Sequence, residues 1–251
     1  MKTTCSIFLA VVAVVLLVIS LPVQASRMDD RIESSARKSY LFNTYLTGDD
    51  IKIDSNDGVV TLTGVVANPF NKSIAEETVA GLPGVRSVDN RLGVKGALPT
   101  ENSDAWLRDK VKAALLFHRS VSAGTTGVDV KDGIVTLRGD AASQAQKELT
   151  TEYARDVEGV KGVNNEMAVT KTSKKPQTVG EKIDDASITA QVKLTLLSHR
   201  STSALNTKLE TKRGVVTLYG KASNAAELNL ATKLANDVNG VKDVKNRMTI
   251  E

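Results

Sequence analysis

Cysteine is almost missing from this chain: Cys5 is the only one among 251 residues, and just two histidines accompany it. That inventory excludes a zinc-ribbon site, an internal disulfide framework and a thiol redox pair. Aromatic residues are scarce as well, at 4%. No excess of one charge sign stands out, because 33 basic and 29 acidic residues leave a formal balance of +4. A dedicated nucleic-acid binder shows a clustered basic footprint instead. What remains is a chain that is 41% hydrophobic and 25% charged. It is too apolar for disorder and too polar for a protein that crosses a membrane many times.

One long apolar run exists, from Ile7 to Leu21, interrupted only by Ser20. Lys2 precedes it, Pro22 is expected to break a helix after it, and Val23-Gln24-Ala25 fits a small-x-small cleavage site. About 15 residues is short for a ~30 Å hydrocarbon core. Residues 1–25 therefore read as a secretory signal peptide cleaved after Ala25. Cys5 lies ahead of the run, so no lipid anchor is expected and the mature chain keeps no cysteine. Loss of Lys2 takes the formal balance from +4 to +3.

The remainder is one unit written three times. Asp57-Gly58-Val59-Val60-Thr61-Leu62-Thr63-Gly64 recurs as Asp132-Gly133-Ile134-Val135-Thr136-Leu137-Arg138-Gly139 and as Arg213-Gly214-Val215-Val216-Thr217-Leu218-Tyr219-Gly220. A second marker keeps the same offsets: Gly84-Val85, Gly159-Val160 and Gly240-Val241, each leading to an Asn and an apolar end at Val94, Val169 or Ile250. Two markers in step establish a threefold repeat. The units span 29–94, 104–169 and 184–250. The polar stretches between them, 95–103 and 170–183, carry Pro99 and Pro176 and read as linkers.

Each unit reads α-β-β-α-β, an α+β fold with a small three-stranded sheet covered by two helices. The first helix has a helical apolar stripe at Leu107, Val111 and Leu115 in unit 2, at Ile188, Val192 and Leu196 in unit 3, and more weakly at Ile32, Ala36 and Tyr40 in unit 1. The second helix is expected to bury Ala145, Leu149, Tyr153 and Val157, with counterparts Ala226, Leu230, Leu234 and Val238, and Phe70, Ile74, Thr78 and Leu82. A two-residue type I′ loop at Asp132-Gly133 pairs Val130 with Val135 and Val128 with Leu137 on the inner face, and Asp129 with Thr136 outside. The same register gives Ile53–Leu62, Ser55–Val60 and Asp54–Thr61 in unit 1, and Leu209–Leu218, Thr211–Val216 and Glu210–Thr217 in unit 3. A slip by one residue would scramble every pair. Each unit is expected to close its own interior. At about 66 residues it buries only ~60% of its unfolded surface, so a single unit is marginal and packing between units would help.

Three copies of α-β-β-α-β with a V-x-DG-x-V-T-L-x-G hairpin and a later GV-x-x-V-x-N element, behind a signal peptide, resemble the BON-domain family. The resemblance covers nearly all of the mature chain. It implies a non-enzymatic periplasmic protein that binds phospholipid or envelope surfaces in osmotic or envelope stress. The alternative is a periplasmic chaperone-like or protein-interaction module. The chain departs from the pattern in two places. Unit 3 has Arg213 where the turn acid stands, and unit 1 has Asn43-Thr44-Tyr45 where the others have His-Arg-Ser.

No catalytic, cofactor-binding or metal-binding constellation emerges. His118-Arg119-Ser120 and His199-Arg200-Ser201 recur at the end of the first helix. One reading makes them a nucleophile or metal pair, but nothing in the sequence brings the histidines together. The other has His and Arg complementing a helix C-terminus, worth ~0.3–1 kcal/mol. The glycines sit in turns and strand ends, not ahead of a helix in a phosphate-cradling loop. Unit 2 alone offers aromatics outside its core stripe. Trp106, Lys110, Ala113 and Phe117 share a stripe roughly 110° away from Leu107, Val111 and Leu115. Either Trp106 and Phe117 pack against a neighbouring unit or the sheet margin, or Trp106, Phe117, Lys110 and Lys112 form a surface for anionic phospholipid or an envelope protein. Such contact would be peripheral, with no nucleic acid and no cofactor involved.

Overall fold

A computed structural model describes residues 21–96, 98–121, 123–170, 182–202 and 207–251. Most of the expected signal peptide, and residues 171–181 of the second linker, lie outside the described residues.

The α-β-β-α-β unit recurs three times. Unit 1 comprises α1 (Leu21–Lys38), α2 (Tyr40–Thr44), β1 (Asp50–Asn56), β2 (Val59–Val66), α3 (Pro69–Ala80), β3 (Ser87–Asn90) and β4 (Gly93–Val94). Unit 2 comprises α4 (Asp104–Leu116), β5 (Gly127–Lys131), β6 (Ile134–Arg138), β7 (Asp140–Ala141), α5 (Gln144–Arg155), β8 (Gly162–Asn165) and β9 (Ala168–Val169). Unit 3 comprises α6 (Asp185–Ser198), β10 (Thr207–Lys212), β11 (Val215–Ala222), α7 (Ala225–Asn236), β12 (Asp243–Asn246) and β13 (Thr249–Ile250).

Helix α1 carries Pro22 in its first turn, a position where a missing N–H leaves no helical bond unmade; the apolar run that Pro22 is expected to end lies, up to Ser20, outside the described residues. One expectation about α1 needs correction: the stripe through Ile32, Ala36 and Tyr40 is divided between two helices. Ser39 adopts an extended backbone (φ −64°, ψ 151°) and its hydroxyl accepts the Phe42 N–H, capping α2. Ile32 and Ala36 are buried, while Tyr40 is half-buried.

The sheets follow one plan. Each hairpin is antiparallel, and the last strand returns parallel to the second, which becomes the centre of the sheet. The register is the expected one in all three units: Ile53 faces Leu62, Val128 faces Leu137 and Leu209 faces Leu218. The turn residues take positive φ in pairs, Asp57 and Gly58 at 52° and 76°, Asp132 and Gly133 at 54° and 81°, Arg213 and Gly214 at 54° and 80°. This is the type I′ geometry that suits the twist of a hairpin. The glycine closing the motif has a different cause. A Cβ on Gly64 would run into the backbone carbonyl of Asp50 on the paired strand, and one on Gly139 into that of Thr125, just ahead of the paired strand.

Two side-chain clamps repeat with the fold. An acid on the first helix accepts both amides of the hairpin turn: Asp29 from Asp57 and Gly58 (2.9 and 3.0 Å), Asp104 from Asp132 and Gly133 (2.8 and 3.0 Å), Asp185 from Arg213 and Gly214 (2.7 and 2.8 Å). The bonds to Ser55 and to the turn amides hold Asp29 below the usual carboxylate range, and the turn amides do the same for Asp104. The Asn of the second marker ties the last strand to the second helix. Asn165 donates to Lys147 O (2.9 Å) and accepts the Met167 N–H (2.9 Å), and Asn246 does the same with Leu228 O (3.0 Å) and Met248 N–H (2.9 Å).

The expected face of the second helix holds in unit 1, where Ile74, Thr78 and Leu82 are buried, and at Val157, Leu234 and Val238, but within α5 it is one residue off. Ala145 and Ala226 are exposed, and Leu149 keeps 38% of its surface. The buried positions are Gln146, Thr150 and Ala154 in α5, and Ala231, Leu234 and Ala235 in α7. Thr150, Ala154, Ala231 and Ala235 are buried on the helices that the Asn clamps tie to the last strands. Leu149, Tyr153 and Leu230 lie on the helix flank, less buried.

That flank is where units meet. In unit 1 it carries Ile74 and Thr78, both fully buried, and α3 packs on α6 of unit 3. Helix α6 is consequently buried nearly all round. Ser187, Gln191 and Leu194, on its outer stripe, are as hidden as Ile188, Val192 and Leu196. Asp184 accepts the Tyr40 N–H (2.8 Å), and Lys193 pairs with Glu77 (2.7 Å) across the same junction. Units 1 and 3 therefore share one apolar core, contrary to the expectation of three separate interiors, while unit 2 keeps its own around Leu107, Val111, Leu115 and Leu137.

Candidate functional site

The aromatic stripe on α4 is split by its surroundings. Phe117 ends the helix and is only 1% exposed. It enters the core shared by units 1 and 3, edge-on to Tyr45 (5.7 Å between centroids) and beside Phe70 (5.8 Å). A phenyl group clamped there meets no lipid, so Phe117 leaves the candidate surface and takes the other role considered for it, packing against a neighbouring unit. Trp106 is half-buried. It lines a concave groove of about 260 Å³ with Phe70, Pro99, Leu194 and Leu197, drawn from all three units and the first linker. Leu197 is 44% exposed there. Lys110 Nζ sits 4.2 Å from the Trp106 ring centroid and 3.9 Å from the Glu158 carboxylate. Lys112 is exposed, but it leaves the helix about 240° around from Trp106. Trp106 and Lys110 form one local surface, and Lys112 belongs to another face.

The two histidines, 81 residues apart along the chain, meet at the seam between units 2 and 3. Their Nε2 atoms are 3.3 Å apart, and both residues are 1% exposed. Each is held from the far unit. His118 Nδ1 lies 3.1 Å from Asp237 Oδ2, and His199 Nδ1 lies 3.2 Å from Asp156 Oδ2. The backbone repeats the exchange: the Arg119 N–H donates to Asp237 O (2.8 Å), and the Arg200 N–H donates to Asp156 O (2.9 Å). Ser120 and Ser201 hydroxyls also donate to Asp237 and Asp156. Each unit thus lends its His-Arg-Ser to the other's Asp-Val. Tyr153 departs from the symmetry, stacking on His118 (3.9 Å) and donating its hydroxyl to Asp237 (2.9 Å).

The electrostatics follow from burial and from these bonds. Burial opposes ionisation of Asp156 and Asp237, yet the bonds from His and Ser outweigh it, and both acids lie below the ordinary carboxylate range. Burial depresses His118, against the pull of Asp237. It also raises Tyr153, helped by the charge of Asp237.

This arrangement is not that of an activated nucleophile. A serine nucleophile needs its hydroxyl on a histidine ring nitrogen, whereas Ser120 and Ser201 bond the carboxylates and each Nε2 faces the other ring. Among the described residues no group of three or more metal-ligating side chains exists. A readable signal for the pair was missed. Units 2 and 3 both carry His-Arg-Ser together with Asp-Val-x-Gly (Asp156 to Gly159, Asp237 to Gly240), and unit 1 lacks both.

Among the described residues no helix is long and apolar enough to cross a membrane. A family model described as the BON domain matches residues 28–96, 103–171 and 184–251. The chain is 35% identical over 143 residues to Osmotically-inducible protein Y of Escherichia coli (strain K12), covering 57% of this chain and 70% of that protein. It is 33% identical over 141 residues to an uncharacterized protein from the gshII 5' region of Anaplasma centrale, covering 56% and 90%. Similarity to the outer membrane lipoprotein DolP of Haemophilus influenzae (strain ATCC 51907 / DSM 11121 / KW20 / Rd) is 32% over 111 residues, covering 43% and 57%.

Proposed function

The chain belongs to the BON-domain family, and from that premise we propose that it is a periplasmic protein that docks on anionic phospholipid through the Trp106–Lys110 edge of unit 2. Its role is envelope-associated and non-enzymatic. Export with removal of residues 1–25 belongs to the same proposal, and so does a part in osmotic or envelope stress. The names of two relatives, one osmotically inducible and one an outer membrane lipoprotein, support that setting.

The observation that carries the docking surface is Trp106 at the lip of an apolar groove with Lys110 above its ring. An indole seats at a headgroup boundary, and a lysine beside it meets anionic lipid, each such cation contributing about 1 kcal/mol near the surface. Co-sedimentation with vesicles tests this. Binding is expected only with anionic lipid, to fall as salt is raised, and to weaken several-fold in Trp106→Ala. Absence of binding at low salt refutes it.

A second reading has its own observation. The groove walls Phe70, Trp106, Leu194 and Leu197 suit an apolar side chain from an unfolded polypeptide, as a chaperone-like module requires. Suppression of aggregation of an exported client without lipid, lost in Trp106→Ala, favours this reading over lipid docking.

A further inference from the structure

We propose that His118 and His199 share three ring protons and that this pair is an acid-released latch between units 2 and 3. The count follows from the partners. Asp156 and Asp237 are ionised and accept only, so His118 Nδ1 and His199 Nδ1 must each carry a proton to bond them at 3.1 and 3.2 Å. A contact of 3.3 Å between the two Nε2 atoms needs one further proton, donated by one ring and accepted by the other. The ring centroids are 5.5 Å apart, close to the two nitrogens pointing at each other. Three protons on four nitrogens make one imidazole and one imidazolium, a single positive charge between two carboxylates.

A fourth proton turns this bond into two N–H groups and two positive charges facing head-on. The other charged and titratable groups do not absorb that charge. On the α5 side stand Asp156 and Tyr153, and on the α7 side Asp237. Asp156 and Asp237 already accept from the rings and the serines, and the Tyr153 hydroxyl already donates to Asp237. Arg119 and Arg200 lie on the same carboxylates, 3.8 and 3.5 Å away, and add positive charge. Lys233 and the Glu152–Arg155 pair line a cavity that His199 and Asp156 also border, and there Glu152 is already neutralised by Arg155. Burial and the neighbouring His199 both act to keep His118 from gaining that proton. Acid therefore drives the seam apart. Phe117, next to His118 and anchored in the other core, limits how far it opens.

Amide exchange on the full chain reads the latch directly. The N–H groups of Arg119, Arg200 and Asn239 donate across the seam, whereas those of Lys161 and Lys242 bond within one unit. Between about pH 7 and pH 5, protection of the first three is expected to fall roughly tenfold or more after correction for intrinsic rates, with the last two unchanged. Loss of that dependence is expected in the double variant His118→Gln, His199→Gln. Unchanged protection at the seam, or a parallel fall in all five amides, overturns the proposal, as does persistence of the effect in a folded double variant. Nitrogen-15 imidazole spectra of the unaltered protein decide the matter even if the double variant does not fold. Three protonated ring nitrogens are expected at neutral pH, and two or four overturn the proposal.

Discussion

Unit 3 meets both of its neighbours, and the two seams are made of different material. Against unit 1 it packs α6 on α3, with the Ser187 hydroxyl accepting the Leu41 N–H of α2, and the two interiors become one core. Against unit 2 it presents His199 and Asp237, bonded reciprocally to Asp156 and His118. The first seam is held mainly by area removed from water, which acid does not change. The second is held by protons in fixed places. One fold can be tiled by either means, and the choice decides which boundary folds as a unit and which one responds to conditions.

The largest expected effect tests the merged core. Phe117→Ala removes a buried aromatic from the core of units 1 and 3, and such truncations cost about 3–5 kcal/mol. Leu107→Ala in the separate core of unit 2 should cost about 2–5 kcal/mol. Denaturant unfolding followed by hydrogen exchange should show Phe117→Ala lowering units 1 and 3 together. Leu107→Ala should lower unit 2 alone. If Leu107→Ala destabilised all three equally, the distinction between the seams would be lost.

Next in size is the asymmetry within the polar seam. Asp237 accepts from the side chains of His118, Ser120 and Tyr153, while Asp156 accepts from His199 and Ser201. A buried donor left without a partner costs about 1–3 kcal/mol. Asp237→Asn should therefore lower stability by about 2 kcal/mol, and Asp156→Asn by less. Thermal or denaturant melts of the two variants provide the comparison.

Acid should separate the seams without mutation. The folded value of His118 lies below its unfolded one, so its contribution is complete above about pH 6.5 and declines as pH falls through the folded value. Asp156 and Asp237 are depressed as well, so their contribution is lost at lower pH still, as pH falls below the ordinary carboxylate value. Stability of unit 2 against unit 3 should drop first, with the core of units 1 and 3 intact. Calorimetric scans taken stepwise toward acid should resolve one transition into two.

How much of this was legible depends on how far each feature reaches along the chain. The hairpin register was readable to the residue, because the turn fixes it and a slip would bury Asp129 or Glu210. The buried face of α5 stands one position from the one its large apolar residues suggest, while Ile74, Thr78 and Leu234 are buried as expected. Ala154 and Ala235 look weaker as core residues than Leu149 and Leu230, and the Asn165 and Asn246 clamps tie their helices to the last strands. The exit of Phe117 into another unit's core, and the meeting of His118 with His199, depend on how separate units pack. That information lies in paired differences between the repeats and not in any one stretch.

The smallest effect concerns the turn where unit 3 departs from its siblings. Arg213 holds φ 54°, as Asp132 does. Asn and Asp tolerate that left-handed backbone, while most other side chains are strained there by about 1 kcal/mol or more. Arg213→Asn should relieve part of the strain. It also removes an exposed cation from the turn whose Arg213 and Gly214 amides the Asp185 carboxylate holds. Exposed charge pairs contribute only a few tenths of a kcal/mol, and the amide bonds belong to the backbone and survive the change. The conformational gain should win, raising stability by about 0.5 kcal/mol, with the reverse change Asp132→Arg lowering it by a similar amount. Denaturant midpoints measured at high salt isolate the backbone part. A midpoint that fell in Arg213→Asn would mean that the arginine side chain holds something in unit 3 that its siblings do without.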